Sequence, residues 1–285
     1  MKILISDYTT PNTTEPLYLN TVLNSIDCIS TIWPHNLSTF DAFDIINPDI
    51  HITHHLKLTR DLILYLQENK NIDLIINITG ITQENLTNLG NVLKDVGIRP
   101  ALMYVNYYDH NLTLKNTNIT TILHGADVFL GYEPKQYDID YAIFVDNKSQ
   151  LSPIGESYHY VTTDEKLEKE ADIFLPIVRL NHLYHNYQNV VIKYFQNEIP
   201  QLFFDAALKV NTFFDIEDRT KLDNHLNKLL GDGKHCSLQD PNSGDIKTKI
   251  MQKHTCLHRT KSLLSQLPCK EYTDKLQEII ESSTK

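Results

Sequence analysis

The sequence predicts an α/β chain with a doubly wound, largely parallel sheet in its first domain and a second, smaller α/β domain closed by a helical tail. Three observations carry this expectation. Short apolar runs alternate strictly with amphipathic helix-like segments over the first 135 or so residues, the connections between them are short, and a less regular version of the alternation returns from about residue 138. A chain of 285 residues is long enough for two domains of ordinary size, expected as 1–140 and 141–285.

Lys2–Ser6 is a short apolar run of the kind that forms a buried first strand. A polar loop, Asp7-Tyr8-Thr9-Thr10-Pro11-Asn12-Thr13-Thr14, leads to a helix start at Glu15-Pro16, where proline loses nothing because first-turn N–H groups are unpaired anyway. Leu19, Val22, Leu23 and Ile26 then form one helical face. Cys28–Trp33 reads as a strand, Ser38-Thr39-Phe40-Asp41 as a capped helix start, and Asp49–His55 as the next strand. A helix from Thr59 to about Asn69, the strand Asp73–Thr79 and a helix capped by Thr82 and closed by Gly97 follow. Ala101–Tyr107 and Ala126–Leu130 supply two further strands.

In the second half, Asp140–Val145, Tyr158–Thr163 and Ile173–Val178 read as strands and Leu183 to about Phe195 as a helix. Pro200 starts a helix whose apolar stripe is Phe203, Phe204, Ala207 and Leu208, with Asp205 off the stripe, and Thr212–Ile216 is a strand. Arg219–Leu230 is amphipathic and stops at Gly231-Asp232-Gly233, and two or three helices broken at Pro268 finish the chain.

Composition and missing motifs narrow the function. Hydrophobic residues make up 41% and charged residues 22%, as in a soluble globular protein, and the net charge of −10 argues against binding a polyanion by charge alone. A local basic groove stays open, so nucleic acid stays open as an acceptor. No signal peptide and no membrane span are read, and the four unpatterned cysteines fit thiols in a reducing cytoplasm. No glycine precedes Gly80, so the GxGxxG dinucleotide fingerprint is absent, as is a Walker A sequence.

Candidate site residues gather at the expected carboxyl ends of strands, where open parallel sheets bind ligands. Asp7, Thr9 and Thr10 in the first loop either meet a ligand or cap the helix that follows. His51, His54 and His55 lie at the end of the third strand. Alternation sets His51 and His55 on one face and His54 on the other, which is poor geometry for one metal, so the choice is acceptor binding or packing. Asp109, after the run Tyr104–Tyr108, serves either as a general base or as a turn residue. Arg179 and His182 follow the Ile173–Val178 strand and, with Lys209 and Arg219, are candidates to meet phosphate.

Three patches give the chain a family resemblance. They are Lys2–Ile5 through Glu15–Leu19 with Phe40–Phe43 and Pro48–His55 after it, then Ile199-Pro200-Gln201-Leu202-Phe203-Phe204-Asp205-Ala206, then His254-Thr255-Cys256-Leu257-His258-Arg259. In order and spacing they resemble the glycosyltransferases of the GT-B fold, nearest the branch of spore-maturation-type (CgeB-like) enzymes and phage-encoded sugar transferases. The second patch is similar to that family's R-x-FEA helix and the third to its HT-x-x-x-R run.

The resemblance implies two Rossmann-like domains facing a cleft, the acceptor held by the first and a nucleotide-sugar, UDP-linked, by the second. No metal and no further cofactor are implied. Asp205 takes the place of the acid that holds the donor ribose, with Gln201, Phe204 and Arg179 beside it as donor-binding residues. Asp7, Thr9, Thr10, His54 and His55 become acceptor-binding residues. Asp109 takes the place of the catalytic base of phage DNA glucosyltransferases, implying inverting transfer to a glycan, a protein or a hydroxymethylated phage DNA base.

The chain departs from the family where Pro200-Gln201 stands for the arginine opening the FEA motif, where Asp205 is one methylene shorter than Glu, and where only Gly155 precedes the donor helix in its domain. Those departures also fit a degenerate GT-B-like protein that binds or scaffolds without turnover. A receiver-type module would account for residues up to about 135 and leave the second domain unexplained.

Overall fold

Ile3, Leu4 and Ile5 are wholly buried because their strand, β1 (Lys2–Ile5), lies inside a parallel sheet covered on both faces. The computed structural model describes residues 1–8, 15–34, 36–106, 111–122, 125–126, 128, 139–144, 158–162, 169, 173–174, 187–193, 205, 208, 211–215 and 244–283. By contacts the chain divides into two compact units. The first joins the start of the chain and Glu15–His124 to Cys256–Lys285, and the second holds Gly125–Thr255.

In the first unit β1 is flanked by β2 (Ile29–Ile32) and β3 (Ile50–His54), and the sheet continues through β4 (Asp73–Asn77), β5 (Leu102–Val105) and β6 (Ile119–Thr121). The order β2-β1-β3-β4-β5-β6 is parallel throughout and reverses direction between β1 and β3, the crevice in which such sheets bind ligands. The helices are α1 (Glu15–Ser25), α2 (Thr39–Ile46), α3 (Arg60–Glu68) and α4 (Gln83–Asp95).

Ser38, Thr59 and Thr82 cap α2, α3 and α4, each side chain accepting a backbone N–H three residues on. Gly97, at φ +73°, lies in the left-handed region just past α4, where a side chain would be strained. Phe43 on α2 anchors an aromatic group in the core, its ring centroid 5.0 Å from His51, 4.7 Å from Tyr65 and 5.6 Å from Trp33.

The second unit is parallel as well: β7 (Ile139–Phe144), β8 (Tyr158–Thr162), β9 (Ile173–Phe174), β10 (Tyr187–Lys193) and β11 (Asn211–Asp215) lie in the order β11-β10-β7-β8-β9. With its first strand central and two on either side, this is the strand order of a Rossmann sheet. Helix α5 (Gly244–Lys253) belongs to this unit, and α6 (Cys256–Leu264) and α7 (Lys270–Ser283) close the chain in the first. Two Rossmann-like α/β units with C-terminal helices are thus present.

Three expectations change. The division at residue 140 placed the closing helices with the second domain, whereas α6 and α7 group with the first unit. The helix expected over Leu183–Phe195 is instead β10, because Val190-Val191-Ile192 is a β-branched run suited to a strand hydrogen-bonded on both sides, here by β7 and β11. The sixth strand of the first sheet is Ile119–Thr121; of the expected Ala126–Leu130 strand, the described residues show an isolated bridge from Ala126 to Thr255. Asp205 and Leu208 are helical, as the Pro200 helix requires, and the rest of that segment and of Arg219–Leu230 lies outside the described residues.

Candidate functional site

Glu15 and Arg259 sit at the carboxyl edge of the first sheet as a wholly buried ion pair, the Arg259 Nη2 donating to Glu15 Oε1 at 2.5 Å. Glu15 enters through the first turn of α1, on the same buried face as Tyr18, Leu19, Val22 and Leu23. Arg259 arrives on α6, where Cys256, Leu257, Thr260, Leu263 and Leu264 are the buried stripe and Arg259, three residues past Cys256, falls on that same stripe. Burial works against its charge, but the Glu15 carboxylate, Tyr18 and Tyr104 together outweigh burial and raise the guanidinium pKa still further. Its Cζ stands over the rings of Tyr18 (5.9 Å) and Tyr104 (5.8 Å).

The remaining contacts close a ring. Arg259 Nη2 also donates to Asn106 Oδ1 at 2.7 Å, and Nη1 to the Ile122 carbonyl at 2.6 Å. Asn77 Nδ2 donates to Glu15 Oε2 at 2.9 Å, while Asn77 Oδ1 accepts the Thr79 N–H at 2.9 Å. Thr79 Oγ1 in turn accepts the Asn106 N–H at 3.0 Å. Arg259, Glu15, Asn77, Thr79 and Asn106 thereby join the ends of β4 and β5 to the start of α1 and to α6. Tyr104 donates its phenol to Glu15 Oε1 at 2.6 Å, and the Tyr8 and Tyr104 hydroxyls stand 3.5 Å apart. Burial first, and then the Glu15 charge, raise both phenol pKa values, so both remain protonated donors.

Thr79 also carries the two exposed-edge histidines. Its carbonyl accepts His54 Nε2–H and His55 Nε2–H, each at 3.2 Å, using both lone pairs. His54 Nδ1 accepts the Leu56 N–H at 3.3 Å, so its tautomer is set from both sides. The rings lie 4.4 Å apart, with Tyr8 5.6 Å from His54. Burial, and for His54 also its neighbour His55, lowers the imidazole pKa values, to about 4 for His54. The pair is neutral at neutral pH. Leu56, 77% exposed on the 3₁₀ turn His55–Lys57, adds an apolar contact at the same edge.

His51 departs from its expected place. Alternation assigned it to the face of His55, but the strand ends at His54 and the 3₁₀ turn begins at His55, so His54 and His55 converge. His51 is instead wholly buried, donating Nδ1–H to the Leu4 carbonyl at 3.0 Å and accepting the Ser6 hydroxyl on Nε2 at 3.3 Å, with Thr53 donating to Ser6 at 2.9 Å. Burial lowers its pKa to about 4. The unfolded imidazole protonates below about 6.5 and the folded one only below about 4, so the protonated unfolded chain is favoured as pH falls through that window. The stability lost between pH 7 and 4 is expected to be about 3 kcal/mol from this residue. Urea unfolding at both pH values checks it, and His51→Gln should remove that share of the pH dependence; an unchanged difference refutes the assignment.

Of the other sequence candidates, Asp7 is partly buried at the end of β1, at the strand reversal with His54 and His55. Asp205, 6% exposed and helical, belongs to the second unit. Thr9, Thr10, Asp109, Arg179, Gln201 and Phe204 lie outside the described residues. Sequence reasoning singled out Arg259 within the HT-x-x-x-R run and Glu15 as a helix start, but not their pairing, nor Asn77, Thr79 and Asn106. Among the described residues no three His, Cys, Asp or Glu side chains gather as a metal would require, and no helix is long and apolar enough to cross a membrane.

No protein-family model matches the sequence, and no curated protein matches it. Solved structures similar to the chain include a DNA-modifying β-glucosyltransferase studied with and without uridine diphosphoglucose, at 13% identity over 99% of this chain and 100% of that one, with a TM-score of 0.49. The spinosyn rhamnosyltransferase complexed with thymidine diphosphate is similar at 9% identity over 100% and 96%, TM-score 0.41. The HepE protein of Anabaena, in complex with UDP and glucose, is similar at 10% identity over 99% and 100%, TM-score 0.44. At such identities and scores the likeness assigns no role to any residue.

Proposed function

We propose that the protein is a glycosyltransferase that moves a sugar from a nucleotide-sugar, UDP-linked, to a hydroxyl acceptor without a metal. What carries the reading is the edge at the β1/β3 reversal of the first Rossmann-like unit: neutral imidazoles, hydroxyls and an exposed leucine, with the wholly buried acid Glu15 already neutralised by Arg259. Such an edge suits a hydroxyl-bearing, uncharged ligand better than a phosphate. The second unit, with its own Rossmann strand order and the buried acid Asp205, is left for the nucleotide.

In this mechanism the acceptor oxygen attacks the anomeric carbon of the donor and the nucleoside diphosphate departs with the electrons of the broken C–O bond. The acceptor proton passes to Asp109, and inversion results. Arg179 and helix N-termini would steady the diphosphate charge. A glycan or protein hydroxyl fits a chain of net charge −10 better than DNA, whose phosphates demand cations.

Incubating the pure protein with a panel of nucleotide-sugars tests the reading, through donor hydrolysis and through a rise in melting temperature with one donor. Neither response with any donor refutes it. For Asp205→Asn, donor affinity is expected to fall about 10- to 100-fold, the worth of a hydrogen bond to a charged group. Titration calorimetry checks this, and unchanged affinity takes Asp205 out of the donor site.

A further inference from the structure

We propose that Arg259 is a positioning residue for the His54–His55 pair, acting through the closed ring of Glu15, Asn77, Thr79 and Asn106. Thr79 is where the ring and the pair meet. Its N–H, hydroxyl and carbonyl are all engaged: the first two by Asn77 and Asn106, the third by both imidazoles. A carbonyl shared by two ring N–H groups at 3.2 Å can aim both only if its peptide is held, and Thr79 lies beyond the last residue of β4, Asn77. Sheet pairing continues one step further, with Ile78 N–H donating to Tyr104 O at 2.8 Å, and then stops short of Thr79. The ring takes over where the ladder ends.

Arg259 is the ring's only cation and the member that closes it, since one Nη2 reaches both Glu15 and Asn106. A residue of the last third of the chain thus sets the tautomer and direction of two side chains at the reversal of the first sheet. The inference concerns the same edge as the proposed acceptor site, but the arrangement of the imidazoles does not depend on sugar transfer.

Two variants separate positioning from bulk stability. Arg259→Lys keeps the charge opposite Glu15 and loses the forked contact to Asn106. Asn77→Leu keeps the ion pair and cuts the link from Glu15 to the Thr79 N–H. Nitrogen-15 imidazole spectra at pH 7 should show Nε2–H tautomers at His54 and His55 in the wild type, and Nδ1–H at His51. In each folded variant the Nδ1–H population of His54 and His55 should rise about fivefold, the effect of one lost hydrogen bond, with His51 unchanged. Folded variants in which His54 and His55 keep the wild-type tautomers overturn the proposal, and so does an equal change at His51, which would mark general loosening. Wild-type protein that turns over no nucleotide-sugar would refute the transferase reading and leave these spectra to decide the positioning.

Discussion

Arg259→Met is expected to lower the unfolding free energy by about 3–5 kcal/mol, the usual cost of stranding one member of a buried ion pair. The Glu15 side chain is 1% exposed, so without its cation it must either stay charged in a poor solvent or take up a proton. Asn106 Oδ1 and the Ile122 carbonyl lose their donor at the same time. Replacing both members, Glu15→Leu with Arg259→Met, should recover much of the loss, because the desolvation cost of two charges disappears along with their attraction. The surface ion pairs of Lys275 with Asp27 and Glu271 give the contrast: Lys275→Ala should cost far less, since both acids are largely exposed and water screens the pairs. Urea titrations followed by circular dichroism measure all of these. An Arg259→Met loss below that of Lys275→Ala would show the pair to be stabilised by something other than its charges.

Asp109→Asn is expected to reduce turnover by about 10²- to 10⁴-fold, the range for removing a general base, while donor-induced thermal stabilisation persists. Asp109 follows Asn106 by three residues, and Asn106 is fixed at both ends, its N–H by Thr79 and its side-chain oxygen by Arg259. The chain therefore leaves β5 from a held point before it reaches the proposed base. Comparison of initial rates with melting shifts separates chemistry from binding. Normal turnover in the variant sinks the assignment, and a product of retained configuration also counts against it.

What could be read from the sequence followed the range of the interactions. Caps act over three residues, so Ser38, Thr59 and Thr82 marked three helix starts correctly. Buried strands such as Asp73–Asn77 announced themselves by apolar runs. Tyr187–Lys193 misled because a short apolar run flanked by polar residues satisfies strand and helix templates alike, and only its place between two other strands decides. The histidines show a finer limit. Strand alternation is a sound rule up to His54, but the 3₁₀ turn one residue later rotates His55 onto its neighbour. The ring around Thr79 was out of reach for another reason: its links span 62, 244 and 153 positions, and no local pattern encodes a partner at that distance.

That separation has a consequence in time. Glu15 leaves the ribosome 244 residues before Arg259. At roughly 5–20 residues per second, the nascent first sheet waits about 12–50 s for its counter-ion. Over that interval the whole second unit is synthesised between the two halves of the first. The acid that later sits buried between Tyr104 and Asn77 must until then remain hydrated, which keeps the edge of β4 and β5 open. Completion of this ring is thus expected to wait for the arrival of α6, and to be the last step in which the histidine pair acquires its fixed orientation.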